Sequence, residues 1–100
     1  SVSIIATSQT YNKIDPKLRK TASHLIQYKP QKKEIENIHD DMITLPKKEF
    51  MDVLRYVYDK KHNFLFVNLQ EEENKQLHKN FNQLIIRSPN ITDFSELEID

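Results

Sequence analysis

The amino-acid sequence contains no glycine at any of its 100 positions. A chain of this length and average composition would contain about seven. Only glycine allows the backbone to approach a phosphate closely enough for the two common nucleotide-binding loops, G-x-x-x-x-G-K-[ST] and G-x-G-x-x-G. These 100 residues therefore contain neither nucleotide-binding fingerprint.

Composition sets the broad class of the protein. The absence of cysteine excludes disulfides, thiolate catalysis and cysteine-ligated zinc within these residues. A hydrophobic fraction of 37% is enough for the core of one small domain. The longest uninterrupted apolar run, 64–67, is far shorter than the roughly 20 residues of a membrane span, and no secretion signal is recognisable.

The net charge of zero conceals an asymmetry along the chain. Residues 1–33 contain seven basic side chains and one acidic one, whereas residues 34–100 contain eight basic and fourteen acidic side chains. A basic first third is suited to binding phosphate groups of a nucleotide or a nucleic acid. Solvated surface lysines explain the same pattern equally well.

Hydrophobic periodicity predicts the order strand, helix, strand, helix, helix, strand. The predicted elements are a strand at 2–8, a helix from Asp15-Pro16 to about Ser23, a strand at 24–28, a helix at 31–43, a helix from Pro46 to the 60–63 cluster and a strand at 64–69. Phe50, Val53, Leu54, Val57 and Tyr58 form the clearest helical stripe. The segment 70–87 fits either a helix or a further strand in a hairpin, and we favour the hairpin.

Strands separated by helices predict an α/β fold with parallel pairing. The first strand is apolar and barely alternates, which suits a sheet covered on both faces. Residues 1–88 form the predicted domain, with further sheet expected before Ser1. Residues 89–100 are predicted to be an acidic, flexible tail.

Neither the histidines nor the acidic residues suggest a metal site. His24, His39, His62 and His78 are spaced unlike any zinc signature. The pair Asp40-Asp41 could be considered for magnesium, but it falls on an amphipathic helix, where a solvated face is the better interpretation.

The junction after the first strand is the best candidate for chemistry. Gln9 follows that strand directly, and ligands of open α/β folds bind at the carboxyl ends of strands. A glutamine there can orient a water molecule or contact a phosphate oxygen. Arg19, ten residues later in a basic helix, is a candidate arginine finger. A polar turn followed by surface charge is the simpler explanation of both residues.

Several segments together resemble the C-terminal half of the viral DNA-packaging ATPases of the FtsK/HerA superfamily, the poxvirus-type enzymes of large DNA viruses and virophages. The segments are 4–9 (IIATSQ), 11–20 (YNKIDPKLRK), 24–29 (HLIQYK), 49–50 (EF), 61–67 (KHNFLFV) and 80–85 (NFNQLI). Each motif is short, and it is their order and spacing over about residues 2–87 that carry the resemblance. Lys20-Thr21 departs from relatives that carry an asparagine shortly after the basic residue.

The resemblance implies a role for each candidate residue. Gln9 would be the sensor of the γ-phosphate or of the attacking water, and Arg19 a finger acting on a neighbouring subunit. The fold would be the C-terminal portion of a RecA-like P-loop NTPase sheet. The phosphate-binding loop, the Walker B acid and most contacts to ATP and Mg²⁺ would lie upstream of Ser1, so the 100 residues alone should not hydrolyse ATP.

The complete enzyme would be an oligomeric ring of its own copies that moves double-stranded DNA into a viral capsid, in the host cytoplasm (the virus factory) or in the virion. Two alternatives remain open at this stage. One is a non-enzymatic α/β module that binds protein or nucleic acid through its basic first third. The other is a structural virion component with a degenerate ATPase fold.

Overall fold

The computed structural model describes residues 2–8 and 10–86 together with the backbone of 98–99. The strands are β1 (Ile4–Thr7), β2 (His24–Tyr28), β3 (Phe64–Asn68), β4 (Leu77–Lys79), β5 (Asn82–Leu84) and β6 (Glu98–Ile99). The helices are α1 (Pro16–Thr21), α2 (Lys32–Met42) and α3 (Lys47–Val57), with 3₁₀ turns at Tyr11–Lys13 and Glu73–Lys75. The predicted order of elements is confirmed. The predicted acidic tail, 89–100, lies outside the described residues except for 98–99.

The helices begin where the sequence signals predict. The Asp15 carboxylate accepts a hydrogen bond from the Lys17 backbone N–H at 2.9 Å, and Pro16 is the first residue of α1. At the start of α2, the Glu34 carboxylate accepts a hydrogen bond from the Gln31 backbone N–H at 2.9 Å, in a capping box. The Glu34 side chain turns back along the helix to this donor and is buried.

One pair of strands is parallel and the others are antiparallel. The six strands lie in chain order, with β1 and β2 parallel and every later neighbour antiparallel. A parallel sheet was predicted, and that prediction holds only for β1 and β2. The reason is the number of helices in each connection. The single helix α1 returns the chain to the side of the sheet where β1 began, so β2 runs parallel to β1. The two helices α2 and α3 bring the chain back to the side where β2 ended, so β3 runs antiparallel to β2.

The described residues of the ambiguous segment, 70–86, contain two strands and no α-helix, as the favoured interpretation predicted. β3 pairs with β4 across the connection 69–76, and β4 pairs with β5 across a two-residue turn, Asn80-Phe81. Asn80 occupies the left-handed region at φ 55°. Asparagine is one of the few residues other than glycine that adopt this conformation readily, which suits a hairpin turn in a glycine-free chain.

The core lies between one face of the sheet and the helices. The predicted stripe of α3 is confirmed, since Phe50, Val53, Leu54 and Val57 are all buried. They pack with Leu25 of β2, Leu65 and Val67 of β3, Leu77 of β4, Leu84 of β5, Ile38 and Met42 of α2, and Tyr11. Among the described residues no helix is long and apolar enough to cross a bilayer.

The opposite face of the sheet is not covered by the described helices. Strand alternation directs a second set of side chains to it, and none of them belongs to the core cluster. We call this surface the open sheet face; its members are Ile4, Ala6, His24, Ile26, Tyr28, Phe64, Phe66, Asn68, His78 and Gln83, with Phe81 from the turn. The expectation of a sheet covered on both faces is therefore wrong for the part of the chain that the structure describes.

Candidate functional site at the carboxyl end of the first strand

The parallel pair brings the ends of two strands to one edge of the sheet. Ser8 follows β1, and Tyr28 and Lys29 stand at the end of β2. The loop 58–63 that connects α3 to β3 lies against the same edge. Together these residues line a pocket of about 440 Å³, which we call the edge pocket. Open α/β folds bind their ligands beyond the carboxyl ends of parallel strands, which is where this pocket lies.

A buried amide holds the two strand ends together. Gln27 is fully buried, and its Nε2 donates to the carbonyl oxygens of Ser8 at 2.9 Å and Tyr28 at 2.7 Å. The Tyr58 hydroxyl donates to the Gln27 carbonyl oxygen, which ties the end of α3 to the same point. Burial raises the pKa of Tyr58 well above its usual range. The wall of the edge pocket is thus fixed by side-chain hydrogen bonds.

The exposed charges around the edge pocket are mainly positive. Lys29, Lys60 and Lys61 are exposed lysines of its lining. The acidic lining residue, Asp59, is already engaged: its Oδ2 lies 3.1 Å from Lys79 Nζ and its Oδ1 accepts a hydrogen bond from Asn63. Because Asp59 is paired, the pocket favours an anion such as a phosphate group.

Nothing in the sequence indicated that the loop 58–63 joins Ser8 and Lys29 in one pocket. The cluster 60–63 was interpreted as a stop signal for α3, and Gln27 as an ordinary strand residue. A glutamine in the middle of the apolar strand 24–28 was the available signal, because a buried amide has to find partners. The approach of the loop 58–63 to β1 depends on tertiary contacts and leaves no local signature in the sequence.

Gln9, the predicted sensor, lies outside the described residues. Its neighbours are described: Ser8 lines the edge pocket, and the Thr10 backbone N–H donates to the Thr7 hydroxyl at 3.1 Å.

Arg19, the predicted finger, lies away from the edge pocket and has partners of its own. Its Nε is 3.5 Å from Asp41 Oδ2, and its guanidinium lies 5.2 Å from the centre of the Tyr11 ring. The Tyr11 hydroxyl donates to the same Asp41 oxygen at 2.8 Å. Burial, and then the hydrogen bond to Asp41, raise the pKa of Tyr11. Arg19 is therefore not among the residues that line the edge pocket.

The interpretation of Asp40 and Asp41 as a solvated helix face needs correction. Asp40 is exposed, but the Asp41 side chain is largely buried against Arg19. His39 is also turned inward, with its Nε2 2.7 Å from the Leu45 carbonyl oxygen and its ring against Phe50. The reason is tertiary: α1 and the connection to α3 both pack on this side of α2.

The described residues offer no ligand set for a metal ion. They contain no group of three or more histidine or acidic side chains placed to hold one. The lysines of the edge pocket fit the charge of a phosphate, but the described residues do not fit the needs of Mg²⁺, which binds mainly through oxygen ligands.

Comparisons of the chain with protein-family models, with curated proteins and with solved structures find no match. Its function is therefore inferred from its own residues, from the resemblance of its segments and from the geometry of the edge pocket.

Proposed function

We propose that this chain is the C-terminal part of a longer ATP-hydrolysing motor that moves double-stranded DNA into viral capsids. The observation that carries the proposal is the basic edge pocket directly beside the end of β1, the strand that Gln9 follows in the sequence. Three of the segments on which the resemblance rests, 4–9, 24–29 and 61–67, contain all or most of a strand, β1, β2 and β3 respectively.

In this proposal the chain contributes an amide and positive charge to a phosphate site. Gln9 orients the attacking water or contacts the γ-phosphate, as glutamines do in phosphoryl transfer. Lys29, Lys60 and Lys61 supply positive potential at the same edge. The proposal assigns the phosphate-binding loop and the ligands of Mg²⁺ to residues upstream of Ser1, as the resemblance implies.

The proposed finger role of Arg19 carries a structural requirement. Its guanidinium has to leave Asp41 and the Tyr11 ring in order to reach a phosphate on a neighbouring subunit. Arg19 would then act only in an assembled ring. We therefore expect that Arg19→Ala rings that remain folded and assembled lose the stimulation of ATP hydrolysis that ring assembly gives the wild type.

The test uses the longer gene product. Gln9→Ala should leave ATP binding near normal and lower kcat by about 10²-fold, which is typical of a lost transition-state contact. Gln70→Ala, at an exposed glutamine on the β3–β4 connection, is the matched control and should leave kcat unchanged. An unchanged kcat for Gln9→Ala would remove Gln9 from catalysis. The motor proposal itself predicts two features in the upstream reading frame: a phosphate-binding loop, and an apolar strand that ends in two acidic residues. The absence of both would overturn it.

A second function, binding of nucleic acid or protein without hydrolysis, is favoured by the distribution of charge. Lys17, Lys20, Lys29, Lys32 and Lys33 of the basic first third are all exposed. Salt-dependent DNA binding by the full gene product, unaffected by nucleotide, would support this module over the motor. A virion component with a degenerate ATPase fold would show neither activity.

A further inference from the structure

The open sheet face contains a continuous series of aromatic and histidine rings. Tyr28 and Phe64 are neighbours at 5.4 Å between ring centres, and Phe81 lies 5.0 Å from Phe64 and 5.3 Å from Phe66. Phe66 in turn lies 4.9 Å from the His78 ring and 5.9 Å from that of His24. The six rings lie side by side along β2, β3 and β4.

Part of this series is exposed to solvent. Phe81 is 66% exposed and Tyr28 is 42% exposed, whereas the apolar side chains of the other face are buried in the core. An exposed phenylalanine gains little from folding, because the free energy of hydrophobic burial is proportional to the apolar area removed from water. The exposed rings are therefore available to a ligand.

The charges around the rings favour an anionic ligand. None of the strands β1 to β5 contains an aspartate or a glutamate. The series ends at Tyr28, which also lines the edge pocket with Lys29 and Lys61. A ligand lying along the rings thus reaches exposed lysines at the Tyr28 end. Glu71 acts electrostatically on His78 at the opposite end, so the anionic ligand is favoured at the Tyr28 end.

We propose that the open sheet face binds single-stranded nucleic acid. Every base has a π-face that can stack on an aromatic side chain, and stacked bases combined with a positively charged groove are the usual means of binding a single strand. Bases would stack on Phe81, Phe64 and Tyr28, and phosphates would contact Lys29 and Lys61. A duplex keeps its base faces inside its own stack and presents only edges, so it fits these rings poorly. This binding shares Lys29 and Lys61 with the proposed phosphate site of the edge pocket, so the two ligands compete there, but it does not depend on ATP hydrolysis.

The experiment measures anisotropy of a fluorescein-labelled 12-residue oligothymidine titrated with the purified 100-residue chain, at two salt concentrations. Binding should weaken with salt, with a slope of about −1.4 in log K against log salt for the two phosphate contacts. Phe81→Ala should weaken binding by about tenfold. Lys61→Ala should make the slope shallower by about 0.7. A duplex of the same length should bind more weakly than the single strand.

The controls separate stacking from folding. Leu18→Ala removes an apolar side chain of similar exposure, 60%, from helix α1 and should not change the affinity. Circular dichroism shows whether each variant is folded, and Tyr28→Leu provides a second ring deletion. Equal affinity for duplex and single strand, or wild-type affinity in both ring variants, would overturn the proposal.

A different partner would give a different pattern. If the open sheet face instead binds a second copy of the chain, the chain should not bind the oligonucleotide. It should self-associate in sedimentation experiments, and Phe81→Ala should abolish this self-association. That result would also overturn the proposal. The Gln9→Ala assay of the longer gene product has an independent outcome, because it measures ATP turnover. Failure of one proposal is therefore distinguishable from failure of the other.

Discussion

The Arg19 guanidinium and the Asp41 carboxylate form an ion pair between α1 and α2, with only 11% and 8% of the two side chains exposed. The Tyr11 hydroxyl donates to the same carboxylate. Burial removes water from both charges, so each depends on the other for its compensation. The pair therefore couples the helix of the basic first third to the rest of the domain.

Removal of Arg19 should destabilise the isolated chain strongly. Arg19→Ala leaves the Asp41 carboxylate buried with only the Tyr11 hydroxyl as partner, and we expect a loss of about 3 kcal/mol in urea unfolding. Arg55→Ala, at an exposed arginine paired with Asp52 on α3, should cost less than about 1 kcal/mol. Equal effects of the two substitutions would show that Arg19 is not held structurally, and would favour a free side chain suited to a finger role.

Stability should fall at alkaline pH because of two buried tyrosines. The pKa values of Tyr58 and Tyr11 are raised by burial, so the folded state retains protons that the unfolded chain loses above about pH 10. The stabilising effect is complete below pH 10 and decreases as the pH rises, by up to about 1.4 kcal/mol per pH unit for each tyrosine. Tyr58→Phe should flatten this decrease in unfolding experiments between pH 9 and pH 11. A pH profile identical to the wild type would contradict it.

Stability should also fall at mildly acidic pH because of His78. Burial lowers the pKa of His78 below its usual value of about 6.5, and the hydrogen bond between its Nδ1 and the Gln76 carbonyl oxygen offsets this only in part. The unfolded chain therefore binds a proton more readily, and stability present above pH 6.5 decreases as the pH falls. His78→Phe should reduce the difference in unfolding midpoint between pH 7 and pH 5. A difference that His78→Phe leaves unchanged would contradict this prediction.

The loop that lines the edge pocket should become more stable with a glycine. His62 has φ 75°, which costs a residue with a Cβ atom about 1 kcal/mol. His62→Gly should raise the melting temperature by a few degrees, since part of the gain is offset by the flexibility of glycine in the unfolded chain. Asn80→Gly should lower it, because the Asn80 Oδ1 accepts a hydrogen bond from the Phe64 backbone N–H at 3.0 Å. A lower melting temperature for His62→Gly would show that the His62 side chain stabilises the loop.

Local signals located most of the elements. Asp15-Pro16 marked the start of α1, the stripe from Phe50 to Val57 marked α3, and the predicted strand 24–28 coincides with β2. These features depend on residues that are close in the chain, such as a cap and its donor or the residues of one helix face. They can therefore be recognised from a short stretch of sequence. The segment 70–87 was harder, because its apolar residues fit two periods and only pairing with β3 decides between them.

The candidate site was only partly predictable. The end of β1 was identified from the position of Gln9, but the lysines of the loop 58–63 were not, because they lie about 50 residues away in the chain. The role of Gln27 was likewise not predictable, because its hydrogen bond to the Ser8 carbonyl oxygen joins two strands and the one to Tyr28 depends on the burial of the side chain.

The sequence by itself determined which segments up to residue 69 are helices and strands and which helix face is apolar, because these follow from periodicity and capping within a few residues. Tertiary structure alone decided the direction of β3, the burial of Asp41 and Glu34, and the exposure of the ring series that includes Phe64 and Phe81. These depend on where two helical passes return the chain and on which face of the sheet the helices cover. Such relations join residues distant in sequence, and the free energy of burial that selects them belongs to the whole packed domain.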